Sequence, residues 1–217
     1  FAYLVAFVYW LGIAVATLIM LGAFHASNAR WPVVLRRFVE TVPATLPLFV
    51  LLFIPIALGM KHVFVWVAPP EGLDPVMAHA IHHKHPYLNT GFFLARAAIY
   101  FVLWIVVAHL LRSWSLRQDT AGGVTLTVWQ RRLGAGSLPF LALTLSFASF
   151  DWMMSLDPRF FSTIFGVYWF AGSFMAAFAV VIIAGALTRG DPAAFGHHMN
   201  AEHFHSLGKF LLAFTAF

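Results

Sequence analysis

The sequence predicts an all-α integral membrane protein, a multi-span helical bundle. Three observations carry that prediction. Of 217 residues, 61% are hydrophobic and only 10% are charged, where soluble domains carry about 25%. The mean hydropathy is +0.84. Apolar runs long enough to cross about 30 Å of hydrocarbon recur along the chain, separated by more polar segments. A solvated surface cannot be built from this composition. The formal charge of +5 is therefore read as arginine and lysine gathered in loops on one side of a bilayer, and nucleic acid is excluded as a partner.

We read residues 1–217 as one transmembrane helical domain with about six spans. The first is residues 1–24, uncharged throughout and closed by His25, Asn28 and Arg30; it is too long and too aromatic for a signal peptide and has no basic leader. Trp31 to Thr41 mixes apolar residues with Arg36, Arg37 and Glu40, the pattern of a short amphipathic helix at the interface. The second span is residues 44–60, where Pro43, Pro47 and Pro55 predict a kink because each lacks a backbone donor. A long loop comes next, holding His79, His82, His83 and His85.

The third span, residues 90–111, has Asn89 or Thr90 as N-cap and carries Arg96 near its start and His109 near its end. A basic loop from Arg112 to Ser137 contains the breaker Gly122-Gly123, and Ser137 before Leu138-Pro139 reads as a helix start. The fourth span, residues 138–156, carries Asp151 and turns at the corner Asp157-Pro158-Arg159. In the fifth, residues 162–187, the small residues Gly166, Gly172, Ser173 and Ala176 predict close helix approach. His197, His198, His203 and His205 precede a sixth run, residues 206–217, still apolar at Phe217. Because Phe1 is not a start residue either, the sequence reads as a fragment. Nine Lys and Arg fall in loops one, three and five, against three in loops two and four. The former are expected in the cytoplasm and the Asp157 corner outside.

An intramembrane carboxylate is expensive and needs a partner. Asp151 and Arg96 each lie about 5 residues inside consecutive antiparallel spans from the same end, at a matching depth of roughly 7–8 Å. Pairing would lower the cost of both. The pair reads either as a proton-relay centre or quinone-pocket wall, or as a structural ion pair or snorkelling arginine. His25 and His109 share the cytoplasmic boundary; they are the one pair available for haem b, and they extend the proton-path candidates. Trp152, Tyr168 and Trp169 near the corner could flank a quinone ring or form an interfacial belt. His79, His82 and His83 share a helical face if their loop is helical, yet zinc needs three or four well-placed ligands, so we assign no metal site and no catalytic residue. The absence of cysteine removes thiolate metal sites, iron–sulfur ligation and covalent c-type haem from this chain.

The segment Ala148-Ser-Phe-Asp-Trp-Met-Met-Ser-Leu-Asp-Pro-Arg-Phe-Phe-Ser-Thr-Ile-Phe-Gly-Val-Tyr-Trp-Phe-Ala-Gly-Ser173 resembles the second large membrane subunit of bacterial alternative complex III, ActF. Its most specific part is Asp151-Trp-Met-Met-Ser-Leu-Asp157-Pro158. The stretch Asn200 to Phe217 is similar to the next segment of that subunit, and Phe1 to Arg132 adds a compatible pattern of spans. The resemblance implies an NrfD-like (polysulfide-reductase-like) helical bundle without a redox cofactor of its own. It implies a place in a quinol:electron-acceptor oxidoreductase of the bacterial inner membrane, beside a related NrfD-like subunit. Partner subunits would carry iron–sulfur clusters and multihaem c-type cytochromes, with quinol nearby and proton translocation as the role of this chain. Family members have more spans, so further helices are expected after Phe217. Two other readings stay open: a haem-b membrane anchor, and a transporter. Pro47 and Pro55 interrupt one span but no second span matches them, as a transporter of inverted repeats would require.

Overall fold

In the computed structural model, which describes residues 1–29, 31–122 and 124–216, the first apolar run is the helix α1 (Ala2–Ala26). It becomes the centre of the bundle because it is apolar on every side: Leu11 through Gly22 are all buried. A helix hydrophobic all round must be surrounded. Helices α2 (Arg36–Thr41), α3 (Leu46–Leu58), α7 (Thr125–Trp152) and α8 (Phe165–Leu187) pack around it. The short α4 (Met60–Val63) and α5 (Pro75–Lys84) come after α3, and α6 (Thr90–Ala121) packs on α3 and α7. The last helix, α9 (Ala201–Ala216), lies on α8, with Phe214 and Phe210 against Phe174 and Phe178. No strand occurs among the described residues. The readings that fall on Arg30, Gly123 and Phe217 lie outside them.

Among the described residues, five helical runs are long and apolar enough to cross a membrane: Ala2–Ala26, Trp31–Leu58, Thr90–Thr120, Thr125–Leu156 and Phe165–Leu187. The run expected as a sixth forms α9, of 16 residues or roughly 24 Å, and it starts at Ala201, before Ser206. The segment Trp31–Thr41 is helical as expected, but it continues through short 3-10 turns into α3 and packs on the bundle with Leu35, Val39 and Glu40 buried. The largest difference is at the basic loop. Residues 112–121 extend α6 and residues 125–137 belong to α7, so most of the expected loop is helical, with α6 ending at Ala121 and α7 starting at Thr125. Ser137 caps no helix; it is buried inside α7 and donates to the Gly134 carbonyl. Serine followed by Leu-Pro reads as a start signal, but a proline in a helix removes only one donor, here the one that would face the carbonyl of Ala135. At 32 and 28 residues, α6 and α7 are roughly 48 and 42 Å long, longer than the hydrocarbon of a bilayer.

Small residues set the helix crossings. A Cβ on Gly134 of α7 would lie 2.9 Å from the Gly22 carbonyl oxygen and 2.9 Å from the His25 Cβ of α1. Gly166 of α8 meets Ser146 of α7 and Ser173 of α8 meets Gly12 of α1, whereas Gly172 is exposed and makes no such contact.

Candidate functional site

Two turns into α6, whose first turn is capped by Asn89 accepting from Phe92 N at 2.9 Å, Arg96 points into the bundle. Asp151 enters from the last turn of α7. Both are buried, Arg96 at 6% and Asp151 at 0% exposed. Their contact is bidentate: Arg96 Nη2 donates to Asp151 Oδ1 at 2.8 Å, and Nε donates to Oδ2 at 2.9 Å. Tyr100, one turn further along α6, donates its hydroxyl to Oδ2 at 2.7 Å. Arg96 Nη1 donates to the Tyr87 carbonyl at 3.0 Å, and the guanidinium lies over the rings of Tyr87 and Phe92, 3.8 and 4.3 Å from their centroids. Ser155 Oγ donates to the Asp151 carbonyl, tying the 3-10 turn Met154–Leu156 back onto α7. Each charge thus meets the opposite charge and further hydrogen bonds, the condition under which a buried ion pair is tolerated.

Trp152 is fully buried beneath this pair, inside a cluster of Phe7, Phe53, Tyr100, Phe101 and Trp104. It belongs to neither a belt nor an open ring pocket. Tyr168 is 76% exposed and Trp169 half-buried beside Gly12, so the three aromatic candidates do not converge. The open space near the ion pair is a cleft of about 310 Å³ lined by other residues, among them Tyr87, Phe147, Phe150, Ser155 and Phe160. Tyr87 and Ser155 stand between this cleft and the Arg96–Asp151 pair. Burial raises the Tyr87 hydroxyl above the usual tyrosine range, with the Asp151 charge adding to it.

At the same end of the bundle, Asp157 Oδ1 accepts from Arg159 N and Nε at 3.0 and 3.1 Å, and Lys84 Nζ donates to the Phe160 carbonyl at 3.3 Å. α5 brings His79 and His83 together with rings stacked 6.3 Å apart, but all four histidines of this group are exposed or half-exposed. Among the described residues no group of three or more His, Cys, Asp or Glu is placed to hold a metal ion. At the opposite end His25 and His109 do not pair: His109 is exposed on α6, while His25 is half-buried where α1 meets Gly134.

A second buried charge lies at the arginine-rich end, which the amphipathic pattern of residues 31–41 concealed. Glu40, 3% exposed, accepts from Arg36 Nε and Arg37 Nη1, both at 2.8 Å. Arg37 also bonds Ser115 and Asp119 of α6, and Arg36 bonds Gln130 of α7. The spacing of Arg36 and Arg37 from Glu40, four and three residues, was the available signal.

No protein-family model matches this sequence, and no curated protein is significantly similar to it.

Proposed function

We propose that the chain is a membrane subunit, without a redox centre of its own, of a quinol:electron-acceptor oxidoreductase of the alternative complex III type in a bacterial inner membrane. Its work is to support proton movement at Asp151. The observation that carries this reading is the buried Asp151 carboxylate, held by Arg96 and Tyr100 at the end of a helix apolar enough to span a bilayer. The segment Asp151 to Pro158, on which the resemblance to ActF rests, builds this site and its corner. A buried carboxylate beside a phenol hydroxyl is a proton-handling arrangement: Tyr100 donates to Oδ2 and its own oxygen can accept. The neighbouring cleft with Tyr87 on its wall would be the quinone environment nearest to this pair. Electrons would travel through partner subunits carrying iron–sulfur clusters and c-type haems.

The test is purification of the tagged chain from its native membranes. Co-purification of c-type haem and iron–sulfur signals, with quinol-dependent reduction of an acceptor that slows in Asp151→Asn, supports the reading. A preparation lacking both redox signals, or a variant assembled and turning over at the wild-type rate, refutes it.

A further inference from the structure

At the arginine-rich end, a cavity of about 190 Å³ opens between the last turn of α1, the segment at Pro32–Arg36 and the first turns of α7. Its polar lining comes from His25, Asn28, Arg36, Thr127 and Arg131, with no carboxylate among the described lining residues. Phe24 and Val33 contribute to the apolar part of its wall, and Val33 is exposed. Two features show that this lining is not internally satisfied. His25 Nε2 is buried without a hydrogen-bond partner among the described residues. Arg131, exposed on α7, forms no ion pair among the described residues, in contrast to Arg36, which already holds Glu40. Beside the cavity the charges of Arg36, Arg37 and Arg131 exceed those of Glu40 and Asp119 by one.

Two guanidiniums, an imidazole, an amide and a hydroxyl around a small cavity recognise a tetrahedral oxyanion, since arginine forks match phosphate oxygens. Phe24 and the exposed Val33 offer an apolar surface beside the polar groups, against which the first carbons of an acyl chain would rest. Basic pockets between membrane helices take anionic headgroups on these grounds. We propose that this cavity binds a phosphate group, that of an anionic phospholipid, with Arg131 and Arg36 on the phosphate and His25 Nε2 as a further partner. The site is separate from the Asp151 pair, which lies at the other end of α7.

The experiment uses the purified full chain, or its complex, in detergent, titrated with phosphatidylglycerol, phosphatidylcholine or inorganic phosphate. Bound ligand is counted by native mass spectrometry and thermal unfolding is followed in parallel. Phosphatidylglycerol is expected to bind at least about tenfold more tightly than phosphatidylcholine, which carries the same phosphate but adds a choline cation that Arg36 and Arg131 would repel. Arg131→Glu should weaken it by a similar factor. Arg117→Glu makes the same charge change on α6, outside the cavity, and should leave it unaltered. His25→Ala should weaken binding too; if that variant does not fold, the two arginine variants decide alone. Binding of inorganic phosphate at millimolar concentration, lost in Arg131→Glu, with phosphatidylglycerol binding indifferent to the variant, keeps the phosphate site and assigns it to a soluble ligand. Equal weakening by Arg131→Glu and Arg117→Glu, or binding of both phosphatidylglycerol and inorganic phosphate that is indifferent to Arg131→Glu, overturns the proposal.

Discussion

Arg96 and Tyr100, one helical turn apart on α6, donate to the same carboxylate oxygen, Oδ2 of Asp151, at 2.9 and 2.7 Å. The i, i+4 spacing makes this possible, because it stacks the two side chains on one face. Tyr100→Phe removes only the hydroxyl and leaves the ring in its contacts with Trp104 and Trp152. A hydrogen bond to a charged group contributes about 1.5–3 kcal/mol, so the variant should unfold at a measurably lower temperature in detergent. An unchanged midpoint would show that the hydroxyl contributes nothing to the site.

Arg96→Gln leaves the fully buried Asp151 without its counter-charge. Breaking a buried pair from one side costs about 3–5 kcal/mol, whereas removing both charges is far milder. The single variants should therefore assemble poorly, and Arg96→Gln with Asp151→Asn should recover part of the yield. If Asp151 passes protons, the recovered double variant stays slow in quinol turnover, because an amide exchanges no proton in the working range. A double variant that is both stable and fast would reduce the pair to a structural clamp. One no more stable than either single variant would remove the pair from the stability argument.

The pair was legible in the sequence because depth from the helix ends is a one-dimensional quantity, and Arg96 and Asp151 matched in it. The angular position around a helix was not. Trp152 is the residue after Asp151, and only the surrounding helices decide that it faces the core while Tyr168 faces outward. The burial of Glu40 was hidden for the same reason: its spacing from Arg36 and Arg37 signals an ion pair, but an Arg-rich amphipathic stretch looks like a solvated face until α6 and α7 extend past the bilayer thickness and cover it. The basic loop hid those extensions. Its residues are polar, so hydropathy ended the spans at 111 and 138, whereas the backbone continues helical from both sides.

The α1–α7 crossing depends on Gly134 having no side chain. With a Cβ, residue 134 would stand 2.9 Å from the Gly22 oxygen, so Gly134→Ala must push the helices apart by several tenths of an ångström. Overpacking of this kind costs about 1–3 kcal/mol, more than the gain in helix propensity of about 1 kcal/mol. Gly136→Ala, two residues on and facing no neighbour within 4 Å, is the control and should be neutral or stabilising. Equal unfolding temperatures for the two variants would refute the close crossing.

The corner has its own pH signature. Asp157 titrates below the ordinary carboxylate range, first because the Arg159 side chain donates to it, then because the Arg159 backbone N–H does. A depressed folded-state value means that its contribution to the corner is complete above the unfolded value and is lost as pH falls through the folded one, below about pH 4. In Arg159→Gln the carbon resonance of a labelled Asp157 carboxyl should titrate at higher pH than in the wild type. An unshifted titration would mean that the arginine does not hold the corner in solution.

The final prediction concerns which ends of the helices share a side. Val124 is exposed at the turn between α6 and α7, and Thr163 is exposed just before α8. α7 separates them by 28 residues, roughly 42 Å, more than a hydrocarbon core of about 30 Å. Arginine and lysine concentrate at the Val124 end: Arg36, Arg37, Arg112, Arg117, Arg131, Arg132 and Arg189, against Lys61, Lys84 and Arg159 at the corner end, where Arg96 is buried within its span. Arginine near the ends of spans stays cytoplasmic, so the Val124 end should be inside. With no native cysteine in the chain, single Val124→Cys and Thr163→Cys variants can be labelled without background. In intact spheroplasts a membrane-impermeant maleimide should modify Thr163→Cys at once and Val124→Cys only after lysis. The reverse pattern would invert the orientation and put the Asp151 site on the cytoplasmic side. Labelling of both before lysis would mean that α7 does not cross the membrane, and Asp151 would then need a different account, since its burial would owe nothing to lipid.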